Sequence, residues 1–245
     1  QYAIKKSNSN AIEYYDKCID CLKPNKQLDL DLMFEIYHDK AKIELNKENF
    51  DKSADIIKEC LQKIESIGSD FYTFECKLAL AKIYGELDEM NSVDKAEDLY
   101  KQVLEGHSKL FNNLNEKIIN DKNDLIKFYL KQEKFENAFT LLEELLKNKI
   151  EFFGDFSTKL VSSHKLLCSI LLKKNDLDNA VKHLQKSLEI EELNYGKKSK
   201  QFAQTSETLE NLQSKLSTKS EKPNFNPSRK INHLKQDLAL YAPRN

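Results

Sequence analysis

A small residue returns every 42 or 43 positions along this chain, at Ala11, Ser53, Ala96, Ala138 and Ala180. Each opens the same helical phrase, Ala-Ile-Glu-Tyr-Tyr-Asp-Lys-Cys at 11–18 and Ala-Glu-Asp-Leu-Tyr-Lys-Gln-Val at 96–103. A fixed period of this size means stacked supersecondary units whose cores are shared with their neighbours. Function is therefore expected on an extended surface rather than in a catalytic pocket.

Four positions after the small residue stand Tyr15, Ile57, Tyr100, Leu142 and Leu184, all large and apolar. Eight positions after it stand Ile19, Leu61, Leu104, Leu146 and Leu188. Spacings of 0, +4 and +8, with fill-ins at +7, predict one buried stripe of an α-helix. Phe50, Val93, Phe135 and Leu177, three positions ahead of the small residue, are expected to close the turn entering that helix. A second helix lies between these phrases. Leu125, Leu167 and Leu209 keep the 42-residue interval, as do Ile118, Leu160 and Phe202. So do Phe111, Phe153 and Tyr195, the last two followed by Gly154 and Gly196, where one helix ends and the next begins.

Composition agrees with helix throughout. Only five glycines occur, and Pro24 alone among the prolines precedes residue 223. A formal charge of −1 supplies no global field for nucleic acid or an anionic membrane. No apolar run reaches the roughly 18 residues that a membrane-spanning helix needs. With no acceptable Asn-x-Ser/Thr acceptor either, a cytoplasmic protein is expected. Cys18 and Cys60 occupy equivalent repeat slots, and the cysteines are expected to serve as small buried residues. Cys18-x-x-Cys21 lacks the second pair or histidine that would complete a zinc site.

These slots resemble the tetratricopeptide repeat, an antiparallel pair of helices A and B with a small residue early in helix B and an aromatic four later. The match runs through Ala11/Tyr15/Cys18, Ser53/Ile57/Cys60, Ala96/Tyr100/Val103, Ala138/Leu142/Leu145 and Ala180/Leu184/Ser187. Helix A slots are matched by Leu80, Ala81 and Tyr84, by Leu125, Ile126 and Tyr129, and by Leu167, Cys168 and Leu171. The family's usual unit is about 34 residues, so each helix gains about one turn here. The longer unit is similar to that of kinesin light chains, including Phe-Gly-Asp at 153–155, although the usual helix-ending proline is missing. The period alone also fits HEAT or armadillo units, which lack this small-aromatic-small phrase.

The resemblance implies an all-α, right-handed superhelical solenoid over residues 1–216, with about five units, the first incomplete. Ala11 opens a helix B whose helix A partner falls almost wholly before residue 1, so the sequence is expected to be an excerpt of a longer protein. A capping helix is expected at about 200–216, then a linker at 217–228 carrying Pro223 and Pro227. In the tail at 229–245, Ile231, Leu234, Leu238 and Tyr241 fall on one apolar stripe. So short a helix needs a surface to dock on, either its own array or a partner.

No catalytic, cofactor-binding or metal-ligating constellation is present. Gly196-Lys197-Lys198-Ser199 lacks the upstream glycine and strand of a phosphate loop, and the histidines at 38, 107, 164, 183 and 233 show no ligand spacing. Glu143/Glu144 and Glu191/Glu192 are adjacent, so each pair diverges by about 100° around its helix.

The resemblance places a partner-binding groove on the exposed helix A residues. These are Glu35, His38, Lys42 and Asn46, then Glu75 and Lys82, then Asn123, Lys127 and Lys131, then Lys165, Ser169 and Lys173. A ladder of Lys42, Lys82 and Lys127 suits a protein segment carrying acidic residues, yet lysine stands on every exposed face of this chain. The family implies a non-enzymatic protein-protein scaffold or adaptor, with no nucleic acid and no membrane insertion. Two alternatives stay open: a brace within a large cytoskeletal or ciliary assembly, held by its convex side and edges, or an array regulating an enzyme domain elsewhere in the protein.

Overall fold

Phe50, Phe135 and Leu177, each three positions ahead of a repeat's small residue, are the first residues of their helices. The computed structural model describes residues 2–21, 27–87, 89–111 and 115–220. Its helices are α1 (Tyr2–Cys21), α2 (Gln27–Leu45), α3 (Phe50–Ile67), α4 (Asp70–Tyr84), α5 (Met90–Leu110), α6 (Glu116–Lys131), α7 (Phe135–Phe153), α8 (Val161–Lys173), α9 (Leu177–Tyr195) and α10 (Lys200–Ser220). The fold is all-α, and no strand occurs among the described residues. The chain divides into two compact units, Gln1–Leu160 and Val161–Asn245. In the first, each of α1 to α7 packs on its neighbour in sequence, and α2 also touches α4. In the second, α9 packs on both α8 and α10.

The small residues explain how closely the pairs approach. Ser53, Ala96, Ala138 and Ala180 are all fully buried, and Ser53 Oγ donates to the Ala41 carbonyl of the preceding helix at 2.9 Å. The seventh position is equally closed, with Cys60, Val103, Leu145 and Ser187 at 0% exposure. The eighth is only partly covered at Leu61, Leu104 and Leu188. The buried stripe thus runs 0, +4, +7, which follows the 3.6-residue turn more closely than 0, +4, +8.

The turns repeat too. Glu48, Glu133 and Asn175 have φ of 62°, 55° and 60°, each just ahead of a helix B. In the turns that follow the B helices, Gly154 and Gly196 have φ of 82° and 77°, a conformation glycine adopts without strain.

Two expectations are corrected. Helix α1 runs unbroken from Tyr2 to Cys21 instead of opening near Ala11, since nothing between them is proline or glycine. Cys18 and Cys21 are exposed while Cys60, Cys76 and Cys168 are buried, because α1 packs on α2 alone among the described elements. Glu75 pairs with Lys117 Nζ of α6 at 2.5 Å. The helix expected from about residue 200 is α10, reaching Ser220. Ile231, Leu234, Leu238 and Tyr241 lie outside the described residues.

Candidate functional site

In the first unit the helices A are α2, α4 and α6, and with neighbouring B helices they line two cavities that share Lys82. The first, about 200 Å³, is bounded by α2, α3 and α4 and opens between α2 and α4. Ala41, Leu45, Ile57, Ala79 and Ile83 line it with Ser53, whose hydroxyl is turned onto the Ala41 carbonyl, leaving the floor apolar. His38, Lys42 and Lys82 stand around it. His38 stacks on Phe34 with ring centroids 5.8 Å apart. Desolvation holds its imidazole below the ordinary value; Asp39 opposes this, and the charges of Lys42 and Lys82 reinforce it. Lys42 is exposed and forms no ion pair among the described residues.

The second cavity, about 280 Å³, is bounded by α4, α5 and α6. Tyr100, Phe128 and Gly85 line it together with Lys82, Lys127, Lys131, Asp124 and Glu86. Its cations are already paired. Lys82 Nζ lies 2.7 Å from Asp124 Oδ2, and Lys127 Nζ lies 3.1 Å from Asp124 Oδ1. Lys131 Nζ donates to Glu86 Oε2 at 2.7 Å and to the Gly85 carbonyl at 2.8 Å. Burial pushes the Asp124 carboxyl up, but the hydrogen bonds and charges of Lys82 and Lys127 outweigh it and leave it below the ordinary value.

The second unit has its own helix A cavity of about 270 Å³, lined by Lys165, Cys168, Ser169, Leu172, Leu184 and residues of α10. Lys165 Nζ is held 2.8 Å from Glu191 Oε1.

The residues expected from sequence therefore separate. His38, Lys42 and Lys82 share one cavity, and Lys82, Lys127 and Lys131 share the next. Asn46 is exposed in the turn after α2, Asn123 is half-buried on α6, and Lys173 is exposed at the end of α8. Sequence reasoning missed Asp124 and Glu86. The signal for Asp124 was present: it stands one 42-residue period after Lys82 and three positions before Lys127. Among the described residues no group of three or more His, Cys, Asp or Glu could hold a metal ion, and no helix is long and apolar enough to cross a membrane.

The tetratricopeptide repeat model matches residues 166–192, which cover most of α8 and α9. No curated protein matches this chain in sequence. Among solved structures, BtubC (BKLC) from P. vanneervenii is similar over 99% of this chain and 95% of its own, with a TM-score of 0.67 and 18% identity. The nearly identical TPR-like repeats of a putative kinesin light chain from Podosopora anserina are similar over 76% of this chain and 87% of theirs, with a TM-score of 0.61 and 14% identity. A singly substituted form of the same repeats gives 82%, 95%, 0.60 and 14% for these measures. The chain has the tetratricopeptide-repeat fold, with units that resemble the kinesin light chain type.

Proposed function

We propose that this chain is a non-enzymatic adaptor that docks a segment of a partner protein on the helix A face of its first unit. The observation that carries this reading is the apolar cavity between α2 and α4, surrounded by His38, Lys42 and Lys82, with Lys42 lacking a counter-ion among the described residues. Burying one large apolar side chain there is worth about 1.5–3 kcal/mol. An exposed ion pair adds only about 0–1 kcal/mol. Apolar insertion thus supplies affinity, and a carboxylate beside Lys42 supplies orientation. The segment is one with an apolar residue next to an acidic one, narrower than the generally acidic peptide expected from a full lysine ladder. Crosslinking mass spectrometry on the protein from its source tests this. Crosslinks from Lys42 and Lys82 to a partner, absent from Lys58 and Lys101 on the B helices, support it; the reverse pattern defeats it.

A second reading is a brace held by its edges within a cytoskeletal or ciliary assembly, the setting suggested by the kinesin light chain resemblance. It is favoured by the exposed Phe152 and Phe156, at the end of α7 and just beyond it, with 47% and 51% exposure. Crosslinks confined to Lys147 and Lys159 would support it over the adaptor reading.

A further inference from the structure

The two cavities that share Lys82 differ in charge in a way their lysines alone do not explain. Lys42 and His38 face no lining carboxylate in the first cavity. In the second, Lys82, Lys127 and Lys131 face Asp124 and Glu86. Asp124 has a central place in this difference. It reaches across from α6 to Lys82 on α4 at 2.7 Å, and holds Lys127 on its own helix at 3.1 Å. Its side chain is 20% exposed, so its charge is only partly screened by solvent. Lys82, a cation that lines both cavities, is thereby drawn toward the second.

We propose that Asp124 is a specificity-determining residue, a built-in counter-ion that confines the acid of a docked segment to the α2–α4 cavity and rejects acids over α4–α6. The inference rests on the helix A face being the docking surface. An incoming carboxylate over the second cavity meets Asp124 as a like charge and competes with it for Lys82 and Lys127. One over the first cavity meets Lys42 uncontested. The fitting partner is a protein segment with one apolar-acidic step followed by uncharged residues, and long acidic runs are disfavoured. Asp124 stays ionised to do this, since the two ammonium groups it holds keep its carboxyl below the ordinary value despite burial.

The test uses the full chain and two fluorescent nonapeptides in a Ser/Gly background at low salt. One carries a single Leu-Glu step, the other Leu followed by six Glu. Asp124→Asn, with an unchanged melting curve, is expected to tighten the six-Glu peptide about three- to tenfold and steepen its salt dependence. The single-Glu peptide should stay within twofold. No tightening of the six-Glu peptide, including no detectable binding by either protein, overturns the proposal. Equal tightening of both peptides also overturns it, since that reads net charge alone. Lys42→Glu separates the two readings. Weakening of the single-Glu peptide supports the docking surface, while indifference to Lys42→Glu with a response to Asp124→Asn overturns the confinement of the acid to the α2–α4 cavity and leaves only its rejection over α4–α6.

Discussion

His107 Nδ1 lies 2.6 Å from Asp121 Oδ2, and both side chains are closed to solvent, so a buried hydrogen-bonding contact ties α5 to α6 inside the first unit. Lys117 Nζ bridges Asp121 Oδ1 at 3.2 Å and Glu75 Oε1 at 2.5 Å, bringing in α4. Phe71, Phe74 and Phe111 surround the imidazole, with ring centroids 5.5–5.9 Å from it. Removing one member of such a buried set leaves the others uncompensated. Asp121→Ala is expected to destabilise the protein by about 3–5 kcal/mol in chemical unfolding. The double change His107→Phe with Asp121→Leu should recover most of that loss, because apolar replacement of a whole buried pair is often neutral. A loss below about 1 kcal/mol for Asp121→Ala would contradict the network's role.

Gly106 sits one residue earlier on α5, against the ring of Phe74. A Cβ there would come within 2.1 Å of the ring's Cζ atom. Alanine in a helix interior is ordinarily better than glycine by about 1 kcal/mol. Overpacking of this kind costs about 1–3 kcal/mol, so Gly106→Ala is expected to destabilise on balance. In a Phe74→Ala background the sign should reverse. Thermal melts of the four proteins in this cycle decide it.

The second unit carries an acid-sensitive contact. His164 and His183 place their Nδ1 atoms 3.1 Å apart, a contact that holds one proton between them. Burial, with the charges of His183 and Lys186, lowers His164 from 6.5 to about 4. Below 6.5 the unfolded chain binds a proton that the folded chain refuses, so this contribution is complete above pH 6.5 and is lost as pH falls toward 4. The loss amounts to about 3 kcal/mol. Urea unfolding at about pH 7.5, 6, 5 and 4.5 should show the decline, and His164→Leu should flatten it across that window.

The turn before α7 holds Glu133 at a φ of 55°, while the equivalent turn before α9 has Asn175 at 60°. A left-handed conformation costs an ordinary L residue roughly 1–2 kcal/mol, and asparagine bears it better. Glu133→Asn is therefore expected to stabilise by about 0.5–1 kcal/mol, read as a raised denaturation midpoint. A lowered midpoint would mean that Glu133 contributes something its turn geometry does not.

The stacking frame was legible because period and burial agree: Ser53, Ala96, Ala138 and Ala180 are all at 0% exposure. The buried polar slots were not. His107, Lys149 and Glu191 stand 42 apart and are all buried, as are Asp121, Ser163 and Thr205. Their register is as strict as that of the apolar stripe, but the residue type changes at every repeat, so a search for recurring chemistry passes over them. The pairing of the helix A lysines was hidden for a related reason. Sequence spacing put lysines on the helix A face, but whether a lysine is free depends on a carboxylate from another helix. Asp124 neutralises Lys82 across a whole repeat, and Glu86 does the same for Lys131.

The most direct test of the adaptor account compares partner capture by three forms of the chain from its native source. These are wild type, Lys42→Glu with Lys82→Glu on the helix A face, and Lys58→Glu with Lys101→Glu on the B helices. The account predicts that quantitative mass spectrometry finds the same partner with wild type and the helix B variant, and far less of it with the helix A variant. Retention on the helix A variant together with loss from the helix B variant would contradict docking at the α2–α4 cavity.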